Sequence, residues 1–306
     1  MNPLRGIALK LASVVVFTVM AALIKATADA VPPGEQVFFR SFFAIPVILI
    51  WLARRGELSV GLRSANPMSH VYRGIIGTAA MGFGFAGLGL LPLPEVTAVG
   101  YAAPLLTVIF AAMFLGERVG WVRLSAVGLG LIGVLVVLSP SLRAVQAGLS
   151  SDQMLGAIVT LIGAVFAALA QIFIRILVQQ ERTSTIVFWF SVTATMLSLV
   201  TLPFGWVIPT GTDAALLVAS GLLGGLGQIL LTSAYRYADA SLVAPFDYAS
   251  ILFAIVLGLV FFGEHPVPTV LWGAGIVIAA GVMIIWREGQ LGLKRNRPRA
   301  AGTPQG

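Results

Sequence analysis

The chain is a succession of apolar runs, each long enough to cross the roughly 30 Å hydrocarbon core of a bilayer. About ten such runs are separated by short polar, glycine- or proline-containing segments. With 58% apolar and only 10% charged residues, the chain has too little polar surface for a water-soluble globule of its size. Lipid offers no partner for free backbone N–H and C=O groups, and the runs lack the alternation of barrel strands. The sequence therefore predicts an all-α membrane protein with ten transmembrane helices.

The chain also contains its own sequence twice. The segment from Pro94 to Trp121 recurs from Ser241 to Pro268, 147 residues later, which aligns Tyr101 with Tyr248. Nearer the N-terminus the offset becomes 150. Five helices per copy is an odd number, so the second copy enters the membrane from the opposite side. We predict two inverted five-helix repeats, residues 1–140 and 141–288, followed by a disordered basic cytoplasmic tail, residues 289–306.

The distribution of Lys and Arg predicts the orientation. If the N-terminus is cytoplasmic, nearly all loop cations lie on the cytoplasmic side, and only Lys25 and Arg143 lie on the other. Both termini are thus expected in the cytoplasm. The net charge of +7 is scattered over short loops, which favours contact with the lipid bilayer over nucleic-acid binding.

Inverted repeats are the common device of secondary transporters. Two similar halves can rock about a shared midplane site and open it to each side in turn. A purely structural protein needs no such two-way pseudosymmetry. The alternative, a structural or signalling membrane protein that keeps the duplication only as a stable bundle, stays open.

Two segments carry a resemblance to a known family. They are AAPLLTVIFAAMFLGERVGWVRLSAVGLGLIGVLVVL and YASILFAIVLGLVFFGEHPVPTVLWGAGIVIAAGVMII. They resemble the two EamA domains of the drug/metabolite transporter (DMT) superfamily, and the chain is similar to YddG-type bacterial exporters of aromatic amino acids. The resemblance implies a central cavity lined by helices one, three, four, six, eight and nine. It implies alternating-access export of a small-molecule substrate across the inner (plasma) membrane of a bacterium, with amino acids favoured over sugars, nucleotides or cationic drugs.

Enzyme chemistry finds little support in the sequence. The chain has no Cys and no G-x-S-x-G, H-E-x-x-H or P-loop motif. His70 and His265 stand alone on opposite membrane faces, where we expect both to be solvated. No catalytic residue, metal or cofactor is therefore expected, and the energy for transport would come from a gradient.

Asp247 and the two aligned tyrosines are the first candidates for a binding or gating site. Tyr101 and Tyr248 offer a ring and a hydroxyl in opposite halves of the membrane, for substrate contact, gating or helix packing. Asp247 could meet a substrate amine or carry a coupling proton, or could be a solvated carboxylate at a helix start. Few intramembrane carboxylates occur, so uniport competes with proton antiport; the oligomeric state is left open.

Arg40 is the one cation well inside a predicted span, and its aligned residue is Phe190. It could attract a substrate carboxylate. Pairing with Glu35 or Glu95, or snorkelling toward headgroups, is the favoured interpretation. Lys25 is expected to be a helix-end anchor.

The remaining candidates are neutral. Gln171 and Gln228 are expected to be buried and able to donate and accept hydrogen bonds. Together with Met81, Phe85 and Phe166 they would form an apolar wall with a few polar groups, as ligand sites usually have. Ordinary core packing is the alternative for the Met and Phe side chains. Glu117 and Glu264, each after a glycine at a helix exit, are expected to be solvated or backbone-bonded rather than in contact with substrate.

Overall fold

The computed structural model describes residues 3–64, 66–116, 119–146, 151–178, 180–237 and 244–295, and these ranges contain helices and turns without a strand. Two 3₁₀ helices, Leu199–Phe204 and Ala244–Ala249, are also present. The α-helices are, in chain order, α1 (Pro3–Ala26), α2 (Pro33–Phe42), α3 (Ala44–Arg54), α4 (Leu58–Gly61), α5 (Pro67–Leu90), α6 (Leu93–Gly100), α7 (Ala102–Leu115), α8 (Trp121–Gln146), α9 (Ser151–Val178), α10 (Thr183–Ser198), α11 (Gly211–Tyr237), α12 (Ser250–Phe262) and α13 (Pro268–Arg295).

Within the described ranges, seven helical segments are long and apolar enough to cross a membrane. Three shorter apolar helical stretches, Leu124–Pro140, Phe246–Phe262 and Pro268–Ile284, accompany them. The all-helical membrane architecture is therefore confirmed, and the count of ten spans stays a prediction. The last helix continues to Arg295, into the predicted tail, and the rest of that tail lies outside the described residues.

Proline interrupts two of the predicted spans. Pro46 and Pro104 have no N–H to donate to the carbonyl four residues earlier. The helix ends at Phe42 and resumes at Ala44 in one case, and it ends at Gly100 and resumes at Ala102 in the other. The second interruption is important for the site because it falls at Tyr101.

Helix pairs from the two sequence copies make the most extensive contacts of the described part. They are α1 with α11, α5 with α9, and α8 with α13. Small residues permit this approach: a Cβ at Gly163 of α9 would press on the backbone of Gly84 in α5, and a Cβ at Gly273 of α13 would collide with Val137 of α8. The two copies thus interlock along their length.

The outside of the bundle is apolar, as a lipid-facing surface requires. Large side chains such as Leu135 of α8, Leu252 of α12 and Trp272 of α13 are exposed. On a soluble protein so large an apolar surface would drive association, whereas hydrocarbon is its natural solvent in a bilayer.

The charge distribution predicts which loops face the cytoplasm, and the absence of native cysteine makes a direct test possible. Ser59 of α4 and Thr212 at the start of α11 are exposed residues between predicted spans, and the two positions are assigned to opposite sides of the membrane. We expect a membrane-impermeant maleimide to label Thr212→Cys in intact cells, and Ser59→Cys only after the membrane is permeabilised. The unsubstituted chain is the blank, and labelling in the reverse order would overturn the orientation.

Candidate functional site

Two adjoining cavities lie between α1, α5, α6, α9 and the 3₁₀ helix that precedes α12. Their volumes are about 320 Å³ and about 310 Å³, and both are lined by Ala21 and Thr97. The first is lined by Val14, Phe17, Thr18, Ala21, Thr97, Gly100, Tyr101, Asp247 and Ser250. The second is lined by Ala21, Ala80, Met81, Gly84, Phe85, Leu88, Leu93, Val96, Thr97 and Ala167. Both linings are mostly apolar with a few polar groups, which is the usual character of a small-molecule site.

One face of α1 lines both cavities, and a lysine stands at each end of that face. Val14, Thr18 and Ala21 follow the helical spacing, with Lys10 one turn before them and Lys25 one turn after them. At 1.5 Å per residue the two lysines are about 22 Å apart along the helix axis. Sequence reasoning assigned these lysines only to membrane orientation and anchoring, although their shared helix face was a readable signal.

Lys10 forms an ion pair with Asp247. Its Nζ lies 2.6 Å from the Asp247 carboxylate; the Lys10 side chain is 3% exposed and that of Asp247 is 51% exposed. The same carboxylate borders the first cavity. Asp247 is thus neither isolated nor fully solvated, and it presents a half-exposed charge to the cavity from a salt-bridged position.

Lys25 ties three segments together at the other end of the cavity. Its Nζ lies 2.9 Å from the Glu264 carboxylate and donates to the carbonyl oxygens of Leu88 and Leu91. Glu264 also accepts a 2.8 Å hydrogen bond from the backbone N–H of Leu93. A backbone-bonded Glu264 was expected; Lys25 is more than a helix-end anchor, because it joins α1, α5 and the end of α12. Glu117, aligned with Glu264, lies outside the described residues.

The aligned tyrosines meet each other. The rings of Tyr101 and Tyr248 pack edge to face with centroids 5.1 Å apart, and both side chains are buried. The Tyr101 hydroxyl donates to the Tyr248 carbonyl, accepts from the Ile251 N–H at 3.0 Å and lies 2.6 Å from the Ser250 hydroxyl. Tyr101 also borders the first cavity. It therefore holds the turn before α12 in place while its edge faces the cavity.

Arg40 does not pair as the favoured interpretation expects. Its side chain is 3% exposed, so it does not snorkel. Glu35 accepts from the backbone N–H of Val207, and Glu95 lies within electrostatic reach of Lys25 and Glu264. The Arg40 guanidinium instead lies over the Phe190 ring, 5.8 Å from its centroid, away from both cavities.

The neutral candidate residues differ in burial and in whether they line a cavity. Met81 and Phe85 line the second cavity. Phe166 is half-buried and stacks on Phe83, with ring centroids 5.8 Å apart, outside the lining of both cavities. Gln171 is exposed and Gln228 is half-buried, so the expectation that both are buried is wrong. Gln171 lies one helical turn beyond Ala167, which is the residue of α9 that lines the second cavity, so Gln171 lies past the end of that lining.

The two histidines differ. His265 is exposed, but His70 is buried, with Nε2 3.4 Å from the Glu181 carboxylate. The solvated interpretation of His70 is thus wrong, because the start of α5 packs under the loop between α9 and α10. Over the described ranges, three or more Asp, Glu or His side chains do not come together in a group that could hold a metal ion.

Known proteins match this chain in a way that also shows its two sequence copies. Residues 4–139 and 154–286 each match the EamA-like transporter family. The pseudopaline exporter CntI of Pseudomonas aeruginosa is 34% identical over 289 residues, covering 92% of this chain and 93% of that protein. The S-adenosylmethionine uptake transporter of Rickettsia felis is 29% identical, covering 83% of each chain, and the riboflavin transporter of Rhizobium johnstonii is 29% identical, covering 85% of this chain and 83% of that protein.

A protein of known crystal structure has the same fold. It superposes with a TM-score of 0.66 over 92% of this chain and 98% of that chain, at 22% sequence identity. At this identity the likeness concerns the fold alone.

The contacts of the two tyrosines predict that removing their hydroxyl groups has different effects on stability. Tyr101→Phe removes the hydroxyl that satisfies the buried Ile251 N–H, which should lower the free energy of unfolding by about 1–3 kcal/mol. Tyr248→Phe is the matched control, because its hydroxyl has no hydrogen-bond partner among the described residues. We expect Tyr101→Phe to melt at a clearly lower temperature in detergent than Tyr248→Phe; equal melting temperatures would contradict this assignment.

Proposed function

The chain belongs to the EamA-like transporter family, and we propose that it exports small metabolites that carry an amino-acid group, by alternating access at the cavity beside α1. The observation that carries the proposal is the cavity itself, with an ion pair at each end. Membership of a transporter family, together with relatives named as transporters, excludes an enzymatic reading of the site. The relatives include an exporter and an uptake transporter, so the direction of transport is part of the proposal.

The architecture we propose is ten transmembrane helices in two inverted halves, residues 1–140 and 141–288, with both termini in the cytoplasm. Two contacts between aligned residues support it. Tyr101 packs on Tyr248, and Arg40 lies over Phe190. Aligned residues of two inverted copies can meet only close to the pseudo-two-fold axis, which runs in the membrane plane. The pairing of α1 with α11 and of α5 with α9 agrees with the same axis, because it exchanges these two pairs.

The two ion pairs are the gates of this mechanism. In the proposed orientation Lys25–Glu264 lies at the outer end of the cavity and Lys10–Asp247 at the cytoplasmic end. Both carboxylates flank α12, one before its first turn and one after its last. Separating α1 from α12 at one end therefore breaks one pair while the other keeps the opposite end closed.

The charges at the cytoplasmic end favour an amino-acid group as the recognised part of the substrate. A zwitterionic α-amino acid presents a carboxylate that can replace Asp247 at Lys10 and an ammonium that can replace Lys10 at Asp247. Substrate binding would thus compensate both charges as the pair opens. The apolar lining, including Met81 and Phe85, suits an apolar or aromatic side chain. One relative is named for S-adenosylmethionine, a compound that contains an α-amino acid group.

Asp247 is also the residue we propose for proton coupling, if transport is coupled. It is the half-exposed carboxylate of the cavity lining. In uniport Asp247 would keep its charge throughout the cycle. In antiport it would take up a proton on the side where substrate is released and give that proton up on the opposite side, where new substrate binds.

Flux through proteoliposomes tests the proposal. We expect saturable flux of labelled amino acids, measured with and without an imposed pH gradient. Asp247→Asn should lower the flux about tenfold, because it removes a partner of both the buried Lys10 ammonium and the substrate ammonium; a tenfold loss corresponds to about 1.4 kcal/mol. Asp247→Glu, which keeps the charge, should retain more flux, and Asp29→Asn at an exposed loop position should match the unsubstituted protein.

The outcomes separate the alternatives. Amino-acid flux that rises with the pH gradient, and loses this dependence in Asp247→Asn, assigns antiport. Flux indifferent to the gradient assigns uniport. Flux of sugars, nucleotides or cationic drugs without amino-acid flux would overturn the substrate class. Folded protein that carries none of these molecules would overturn transport in favour of a structural or signalling role.

A further inference from the structure

Two buried arginines converge on one aromatic ring at the interface of α2, α5 and α10. Arg40 reaches the Phe190 ring from α2 at 5.8 Å, and Arg73 reaches it from α5 at 4.1 Å. The residues are 3% and 8% exposed. The cavity between the ion pairs is lined by neither guanidinium, so the transport site described above does not use them.

Neither guanidinium has a counter-charge within the described ranges. The Nε and Nη1 atoms of both arginines are buried without a hydrogen-bond acceptor. The nearby carboxylates are engaged elsewhere: Glu35 accepts from the Val207 N–H, and Glu181 lies beside His70. Hydroxyl groups on the same three helices are also buried without partners, namely those of Ser41, Thr78 and Thr185.

Two buried guanidinium groups without a counter-charge are energetically unfavourable unless a further group supplies negative charge and hydrogen-bond acceptors. A buried cation loses its hydration, and two cations beside one ring also repel each other. The face of Phe190 offsets part of this cost, since its quadrupole attracts a guanidinium, but it cannot accept the N–H bonds. Charged groups inside membrane spans almost always have a partner and mark a functional position.

Glycines on neighbouring helices leave space for the two guanidinium groups. A Cβ at Gly77 of α5 would collide with Arg73 and Phe190, and a Cβ at Gly224 of α11 would press on the Arg40 guanidinium. A cavity of about 360 Å³ lies between the same three helices; Val37, Thr78 and Leu197 are among its lining residues, and the two arginines are not. Thr78 lies about one and a half turns along α5 from Arg73.

We propose that Arg40 and Arg73 form an oxyanion-binding site for a carboxylate or phosphate group borne by a molecule with an apolar body. The guanidinium groups supply paired N–H donors whose planar geometry suits such groups. The unpaired hydroxyl of Thr78, which lines the cavity between these helices, supplies a further donor. That cavity would accommodate the apolar body, and its lining is almost entirely apolar. One oxyanion between the two cations replaces their mutual repulsion by two attractions.

Binding to purified protein in detergent tests this site independently of flux. The probes are sodium benzoate and phenyl phosphate, with benzyl alcohol as the neutral analogue and inorganic phosphate as the anion without an apolar body. We expect benzoate or phenyl phosphate to raise the melting temperature in a saturable way and benzyl alcohol to leave it unchanged. Arg40→Met and Arg73→Met should each weaken the apparent affinity about tenfold or more. Arg54→Met, at an exposed helix end, is the matched control.

The melting temperature without added anion distinguishes a binding site from a structural role. If the arginines serve a ligand, Met at either position removes an uncompensated buried charge, and the ligand-free variant should melt at the same or a higher temperature. A lower melting temperature with an unchanged anion response would overturn the proposal. So would the absence of any anion effect on the unsubstituted protein. Inorganic phosphate acting as strongly as phenyl phosphate, and only when both arginines are present, would assign the site to a free anion; a preference for the organic probes assigns it to a carried group.

Discussion

The cavity depends on the two lysines of α1, whose charges must be matched inside an apolar bundle. Breaking a buried ion pair by removing one partner costs about 3–5 kcal/mol in measured cases. The half-exposed Asp247 places the Lys10 pair below that range, whereas Lys25 and Glu264 are both largely buried. Both pairs connect α1 to the ends of α12. They fix the separation of these two helices at both ends, and the two cavities lie between the pairs.

Local chain breaks supply the rest of the geometry. Because of Pro104, α6 ends at Gly100, one residue before Tyr101. The 3₁₀ helix Ala244–Ala249 places Asp247 and Tyr248 immediately before α12. The Tyr101 hydroxyl then bonds to the start of α12, so the two breaks hold each other in place. Beside them Gly100, Thr97 and Ala21 leave volume unfilled. A rigid, hydrogen-bonded joint next to an open cavity is a suitable pivot for helices that must move without losing backbone hydrogen bonds.

Much of the architecture was predictable because it rests on patterns that lipid enforces. Apolar runs, the internal repeat and the proline breaks can be identified in the sequence without knowing which helices are in contact. The pairing of charges is not, because it depends on which helix faces which. Lys10 and Lys25 were explained only by membrane orientation and helix-end anchoring, although they share a face of α1. His70 was expected to reach water, and Arg40 was expected to pair with Glu35 or Glu95 or to reach headgroups. Both are buried by neighbouring helices that no local signal identifies. The meeting of Tyr101 with Tyr248 requires the axis between the repeats, which the alignment implies but does not locate.

The most direct test of alternating access is the reactivity of a single cysteine inside the cavity, measured from each side of the membrane. Thr97→Cys lies where the two cavities join. Adding Glu264→Gln should open the outer end, so an impermeant maleimide should react faster from the outside and more slowly from the cytoplasmic side of inverted vesicles. Reaction at Thr212→Cys should be unaffected. If Glu264→Gln leaves both rates unchanged, or moves them in the same direction, the Lys25–Glu264 pair is not a gate and this mechanism is wrong.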